Sequence, residues 1–124
     1  MSRFLLLLAG FSGFTGVAFG AFAAHALRGR VAEPLLAVFQ TGVQYQFWHT
    51  AALIGVALLL LRWPRSGAFK LAGALFSLGI LLFSGSLYAL ALTGIGQLGV
   101  ITPIGGLSFL AGWLCFGVGV WRSV

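Results

Sequence analysis

The sequence predicts an all-α fold, an integral membrane antiparallel four-helix bundle in a single domain, on three observations. Four apolar stretches, about 4–27, 40–61, 68–92 and 103–121, fill almost the whole 124-residue chain. At roughly 1.5 Å per residue, about 20 residues cross the roughly 30 Å hydrocarbon layer, so each stretch is long enough. Hydrophobic residues make up 60% of the chain and charged residues only 6%, too few to solvate a soluble domain of this size. The charges also stand at the ends of the apolar runs rather than within them.

The net charge is +6, but the seven basic residues never cluster on one polar element, so no nucleic-acid partner is expected. The expected partner is membrane lipid. With four crossings, Arg3, Arg62, Arg65, Lys70 and Arg122 share one side, against Arg28 and Arg30 beside Glu33 on the other. Lys and Arg favour the cytoplasmic face, so both termini are expected in the cytoplasm. The start of the chain has some features of a cleavable leader, around Ala21-Phe22-Ala23-Ala24. Such leaders have apolar cores of about 7–15 residues, and this run is longer, so it is expected to remain as a span. The lone Cys115 reads as a small packing residue.

In the first stretch Ala9, Gly10, Gly13, Gly16, Gly20 and Ala24 fall within roughly 120° of one another on a helix. That flat stripe is suited to close helix contact. Phe11, Phe14, Phe19 and Phe22 lie off it. Glu33-Pro34 is a helix start, since proline lacks the amide hydrogen that the first turn leaves unpaired and an acid complements the dipole. A helix from Pro34 to Arg62 would be roughly 43 Å long, more than a simple span. A separate interfacial segment over about 31–39, with a bend near Gly42, is therefore expected.

The second span holds the densest polar run, Gln40, Thr41, Gln44, Tyr45, Gln46 and His49. These cover well over half of a helical wheel. Lipid satisfies neither amide nor imidazole, so this helix should be surrounded by protein and central. Arg62-Trp63-Pro64-Arg65-Ser66-Gly67 is a tight turn with an interfacial tryptophan. In the third span Ser77, Ser84 and Tyr88 align within roughly 40°, and Ser86 points the other way. Thr102-Pro103 reads as a capped helix start, and Gly105, Gly106 and Gly112 as further close-packing positions. Trp113 lies within the fourth span, whereas Trp121 beside Arg122 marks an interface.

Several runs carry a resemblance. They are Gly20-Ala21-Phe22-Ala23-Ala24-His25, Gln40-Thr41-Gly42-Val43-Gln44-Tyr45-Gln46 with His49, Phe83-Ser84-Gly85-Ser86-Leu87-Tyr88, and Thr102-Pro103-Ile104-Gly105-Gly106. Together they resemble the family catalogued as domain of unknown function 423, small bacterial inner-membrane proteins to which eukaryotic transmembrane protein 256 is similar. Ala23 departs from the glycine that family members often have there. The resemblance covers the whole chain and implies a four-span protein of the bacterial inner membrane. It brings no established catalytic residue.

The chemistry to be weighed is sparse. His25 lies within a turn of its helix end, and His49 lies roughly 14 Å inside the second span, a mismatch near 10 Å. One metal ion cannot bridge that gap, and no acidic partner is at hand, so no metal site and no cofactor are expected. His25 reads as an interfacial contact at a helix carboxyl end. His49 is either a neutral histidine bonded across helices or a proton-relay or ligand contact. Ser84 or Ser86 activated by His49 would need a carboxylate to orient the imidazole, and none exists. No enzyme is expected.

The candidate site is a convergence of Gln40, Gln44, Tyr45, His49, Ser84 and Tyr88 in the outer half of the bundle. Three functions suit it in turn. The first is a non-enzymatic structural or accessory protein affecting membrane stability, as a homo-oligomer or docked on a larger membrane complex. The second is a pocket for a lipid, quinone or other small amphipath. The third is a small channel or proton carrier, which the apolar second half of helix two weakens.

Overall fold

The computed structural model describes residues 1–124, which form four helical spans and no strand. Helix α1 (Ser2–Phe22) runs into one π-helical turn, Ala23–Leu27, and the first span ends there. Gly29, at φ +84°, lets the chain reverse, with the Arg30 amide donating to the Leu27 carbonyl at 2.8 Å. Helix α2 (Glu33–Arg62) opens on Glu33-Pro34 as the sequence implies.

α2 is one helix of 30 residues. Of the separate segment expected over about 31–39, residues 33–39 are the first turns of α2, and the helix runs unbroken through Gly42. The reason is packing: a Cβ on Gly42 would stand 2.7 Å from Tyr88 Cε1. Gly42 admits a ring; it does not break a helix. After the turn at Trp63–Ser66, the Ser66 hydroxyl caps α3 (Gly67–Gly79) by accepting from the Phe69 amide at 3.2 Å. A π-helical turn, Ile80–Ser84, joins α3 to α4 (Gly85–Thr93), and Gly94 at φ +73° terminates that third span.

A 3-10 turn, Gly96–Val100, leads into α5 (Ile101–Ser123). The expected Thr102 cap is not formed. Thr102 already lies inside α5, and its hydroxyl meets Ser86 at 2.6 Å instead. Pro103 still occupies the first turn, where its missing N–H costs nothing.

α1 packs along α2, and α5 packs along α3, with α2 and the third span forming the middle pair. The second span is the most enclosed, with 44% of its apolar stretch buried against 22–33% in the others. Helix two is central, as its polar content required. Toward the end that carries the two termini, a dry cluster including Leu53, Val56, Leu60, Phe69 and Phe76 fills the bundle. Toward the other end, here the loop end, a smaller cluster gathers Leu27, Leu36, Phe39 and Ala91.

The glycine stripe of α1 does face α2. Cβ positions at Gly16, Gly20 and Gly13 would lie 3.0 Å from the Phe47 ring, 3.6 Å from Val43 and 3.9 Å from Thr50. Gly10 is open and belongs to no contact. On α5, Gly105 lies directly against the Phe83 backbone, Gly112 beneath the Phe76 ring, and Gly106 in ordinary contact with Phe83.

These contacts set a graded expectation. Gly105→Ala should destabilise the bundle by about 1–3 kcal/mol, because backbone cannot yield as a side chain can. Gly117→Ala, with open space around it, should be neutral or slightly stabilising, since alanine is the better helix residue by roughly 0.5–1 kcal/mol. Thermal unfolding of both variants in detergent measures the difference.

Candidate functional site

Gln46 sits near the midpoint of α2 and is 3% exposed. Its side-chain amide donates to the Ser12 carbonyl at 2.8 Å and to Thr15 Oγ1 at 2.8 Å, both on α1. Its Oε1 accepts from the Tyr88 hydroxyl on α4 at 2.5 Å. The Ser12 carbonyl can only accept, so the orientation of the amide is fixed, and both N–H groups and the oxygen are used. Thr50 donates to the Gln46 carbonyl at 2.7 Å; having spent its one proton, it accepts from Ser12 Oγ at 2.6 Å. One amide thus ties three helices together.

One turn from Tyr45 and about 60° around α2 from Gln46, His49 is directed at a different neighbour. Its Nδ1 lies 2.8 Å from the Tyr45 carbonyl, and its Nε2 lies 3.1 Å from Trp113 Nε1 on α5. An indole N–H only donates and a carbonyl only accepts, so the proton is on Nδ1 and Nε2 accepts. In this geometry the imidazole is neutral and both nitrogens are engaged. The Phe109 ring stacks on it at 3.6 Å between centroids, with the planes 10° apart. Ser84, fully buried, donates to the Gly42 carbonyl at 2.7 Å and so joins α2 to the third span.

The six residues expected to converge are therefore divided. Ser84 and Tyr88 do face α2. Tyr88 belongs to the Gln46 network, whereas His49 belongs to a separate aromatic contact with α5. Gln40 and Gln44 are exposed on the outer side of α2, form no side-chain hydrogen bond within the chain, and take no part in either group. Tyr45 is half-buried against Phe83 and Trp48, and no side-chain hydrogen bond engages its hydroxyl. His25 is exposed in the π-helical turn at the loop end, remote from both groups. Ser77 donates to its own Gly73 carbonyl, and Ser86 faces α5.

The expected site left out Gln46, which stands in the polar run of α2, together with Ser12, Thr15, Thr50 and Trp113. A signal for the first four was present. The glycine stripe marks the α1 face that meets α2, and Ser12 lies beside it. A polar residue on such a face needs a partner on the next helix. Trp113 gave no comparable signal, because an indole in an apolar helix reads as packing.

Between α2, the third span and α5 lies an open cleft of about 730 Å³, lined by Tyr45, Trp48, His49, Phe83, Leu107 and Trp113 among others. Its lining is almost wholly apolar and aromatic, and nothing ionised enters it. A second groove of about 430 Å³ lies between α1 and α3, near Phe4, Ser77 and Leu81.

The polar layer has a measurable signature. Gln46→Leu removes the partner of Tyr88 and Thr15 at once and should cost about 1–3 kcal/mol. Tyr88→Phe, which orphans only one acceptor, should cost roughly 0.6–1.7 kcal/mol. A double-mutant cycle between them, followed by unfolding in detergent, should give a non-zero coupling term, and purely additive losses would contradict the bond.

Residues 19–106 match a family model described as "Protein of unknown function (DUF423)". The chain is 45% identical over 121 residues to the UPF0382 inner membrane protein YgdD of Escherichia coli (strain K12), covering 98% of this chain and 92% of that protein. It is 41% identical over 112 residues to the UPF0382 membrane protein YwdK of Bacillus subtilis (strain 168), covering 90% and 91%. A UPF0382 membrane protein of Haemophilus influenzae is 44% identical over 123 residues, covering 99% and 98%. No solved structure matches. With four helices long and apolar enough to span a bilayer and relatives aligned along nearly their full length, this multi-pass protein of the bacterial inner membrane belongs to the DUF423 family.

Proposed function

We propose that the protein is a non-enzymatic structural or accessory component of the inner membrane, affecting membrane stability or docked on a larger membrane complex. The observation that carries this reading is the closure of the polar interior: every buried side-chain nitrogen and oxygen has a hydrogen-bond partner within the chain. Catalysis needs a base and a nucleophile free to reach a substrate. His49 holds an indole and a carbonyl instead, and Ser84 holds a backbone carbonyl. A channel or proton carrier needs a continuous polar path, and the apolar cluster around Leu53, Val56 and Phe69 interrupts it. On the excess of Arg and Lys at their end of the bundle, both termini face the cytoplasm in this reading.

The test is complementation of a deletion strain under membrane stress. Ser84→Ala and His49→Leu should restore membrane integrity in proportion to the amount of folded protein each leaves. If either of these two variants kept wild-type thermal stability and abundance yet failed to complement, the reading would be overturned, because Ser84 and His49 are buried and offer no surface to a partner.

A second reading rests on the α2–α5 cleft. Its volume, its aromatic walls and the free Tyr45 hydroxyl on its lining suit a small membrane amphipath such as a lipid or quinone. Leu107→Trp, which fills the cleft from an exposed position, should abolish retention of any co-purifying lipid or quinone in native mass spectrometry. Retention at the wild-type level would remove the cleft from consideration.

A further inference from the structure

Two polar side chains remain unexplained by the network and by the cleft: Gln40 and Gln44, one turn apart on the outer face of α2. Their depth follows from the helix contacts. Gly16 meets Phe47 and Gly20 meets Val43, so Gln44 is level with Phe19 on α1. That is about two turns, roughly 12 Å, inside the end of the first span at Leu27. Contact between Ser84 and Gly42 sets the same level from the third span, well inside its end at Thr93. Gln40 is only about one turn inside and its amide can reach the interface. Gln44 cannot.

At that depth hydrocarbon offers an amide neither donor nor acceptor. No side chain of this chain offers one either. The face that carries Gln44 continues toward the termini through Ala51 and Gly55, within about 20° of the same direction on the helix. Both are small, and a Cβ on Gly55 would meet nothing within 4 Å. Trp48 and Ile54, both exposed, flank them. Small residues beside a buried-depth amide form a surface another helix can approach closely and bond to.

We propose that this face of α2 is the contact between two copies of the chain, with Gln44 meeting Gln44 across a two-fold axis along the membrane normal. The occupant follows from chemistry and symmetry. Copies inserted in one orientation bring residues of equal depth together at such an axis. A group at the axis must therefore bond to itself, which a hydroxyl-free apolar residue or a charge does poorly. A glutamine amide carries donor and acceptor together, so two of them exchange hydrogen bonds reciprocally. Between Glu33 and Arg62 no charge stands on α2 to repel its copy. The proposal uses neither the cleft nor the closed polar network, so it stands or falls separately from the functional readings.

The test is oxidative cross-linking in native membranes of a Cys115→Ser chain carrying one new cysteine. Ala51→Cys, on the proposed face with Gln44 intact, should give a covalent homodimer. Phe14→Cys, 76% exposed on α1 away from that face, should give none. Adding Gln44→Leu to the Ala51→Cys chain should lower the dimer fraction about three- to tenfold, the range of a membrane hydrogen bond or two, and Gln44→Asn should recover most of it. Gln44 makes no intrachain bond, so in detergent dilute enough to dissociate the dimer the unfolding temperature should stay unchanged, which separates lost association from lost folding. Absence of dimer at Ala51→Cys, equal dimer at Phe14→Cys, or a product containing only a different protein each overturns the proposal.

Discussion

The structure depends on the satisfaction of one buried amide. Gln46 lies where no water reaches and would penalise any arrangement that left it unpaired. Its bonds to Ser12, Thr15 and Tyr88 fix the rotation of α2 about its own axis relative to α1 and α4. Apolar packing alone sets this rotation weakly, because lipid chains compete for every apolar face on nearly equal terms. The amide therefore supplies specificity, and the glycines supply the closeness that lets short side chains reach across.

The same logic accounts for the surroundings of His49. An imidazole between Phe109 and Trp113, with its proton committed to a backbone carbonyl and its lone pair to an indole, orients α5 against α2. Two polar devices thus share the buried side of one helix, each aimed at a different neighbour. That division leaves the outer face of α2 as the one where polar groups are unanswered.

Much of this was legible in the residues. Apolar run lengths fixed the spans, the polar load of 40–49 fixed which helix is central, and the α1 glycines fixed its contact face. What could not be read is phase. Wheel angles assume a regular α-helix, and the π-helical turn Ile80–Ser84 shifts the register of everything after it. Ser77 was expected to share a face with Ser84 and Tyr88 and instead bonds within its own helix. Polarity also distributed evenly over Gln40, Gln44 and Gln46, although only Gln46 points inward. Composition cannot rank three glutamines; the facing serine and threonine of α1 can. Gly42 looked like a bend because glycine weakens a helix, but the demand came from the Tyr88 ring.

The hydrogen bonds between spans also divide by connectivity, and the division bears on biogenesis. Ser12–Thr50, Gln46–Ser12 and Gln46–Thr15 lie within the first pair of spans, whereas Ser86–Thr102 and Ser108–Leu75 lie within the second pair. Tyr88–Gln46, Ser84–Gly42 and Trp113–His49 alone run from one pair to the other. Each hairpin can therefore leave the insertion machinery with most of its interhelical hydrogen bonds already made, and only three bonds remain to form when the two hairpins dock laterally.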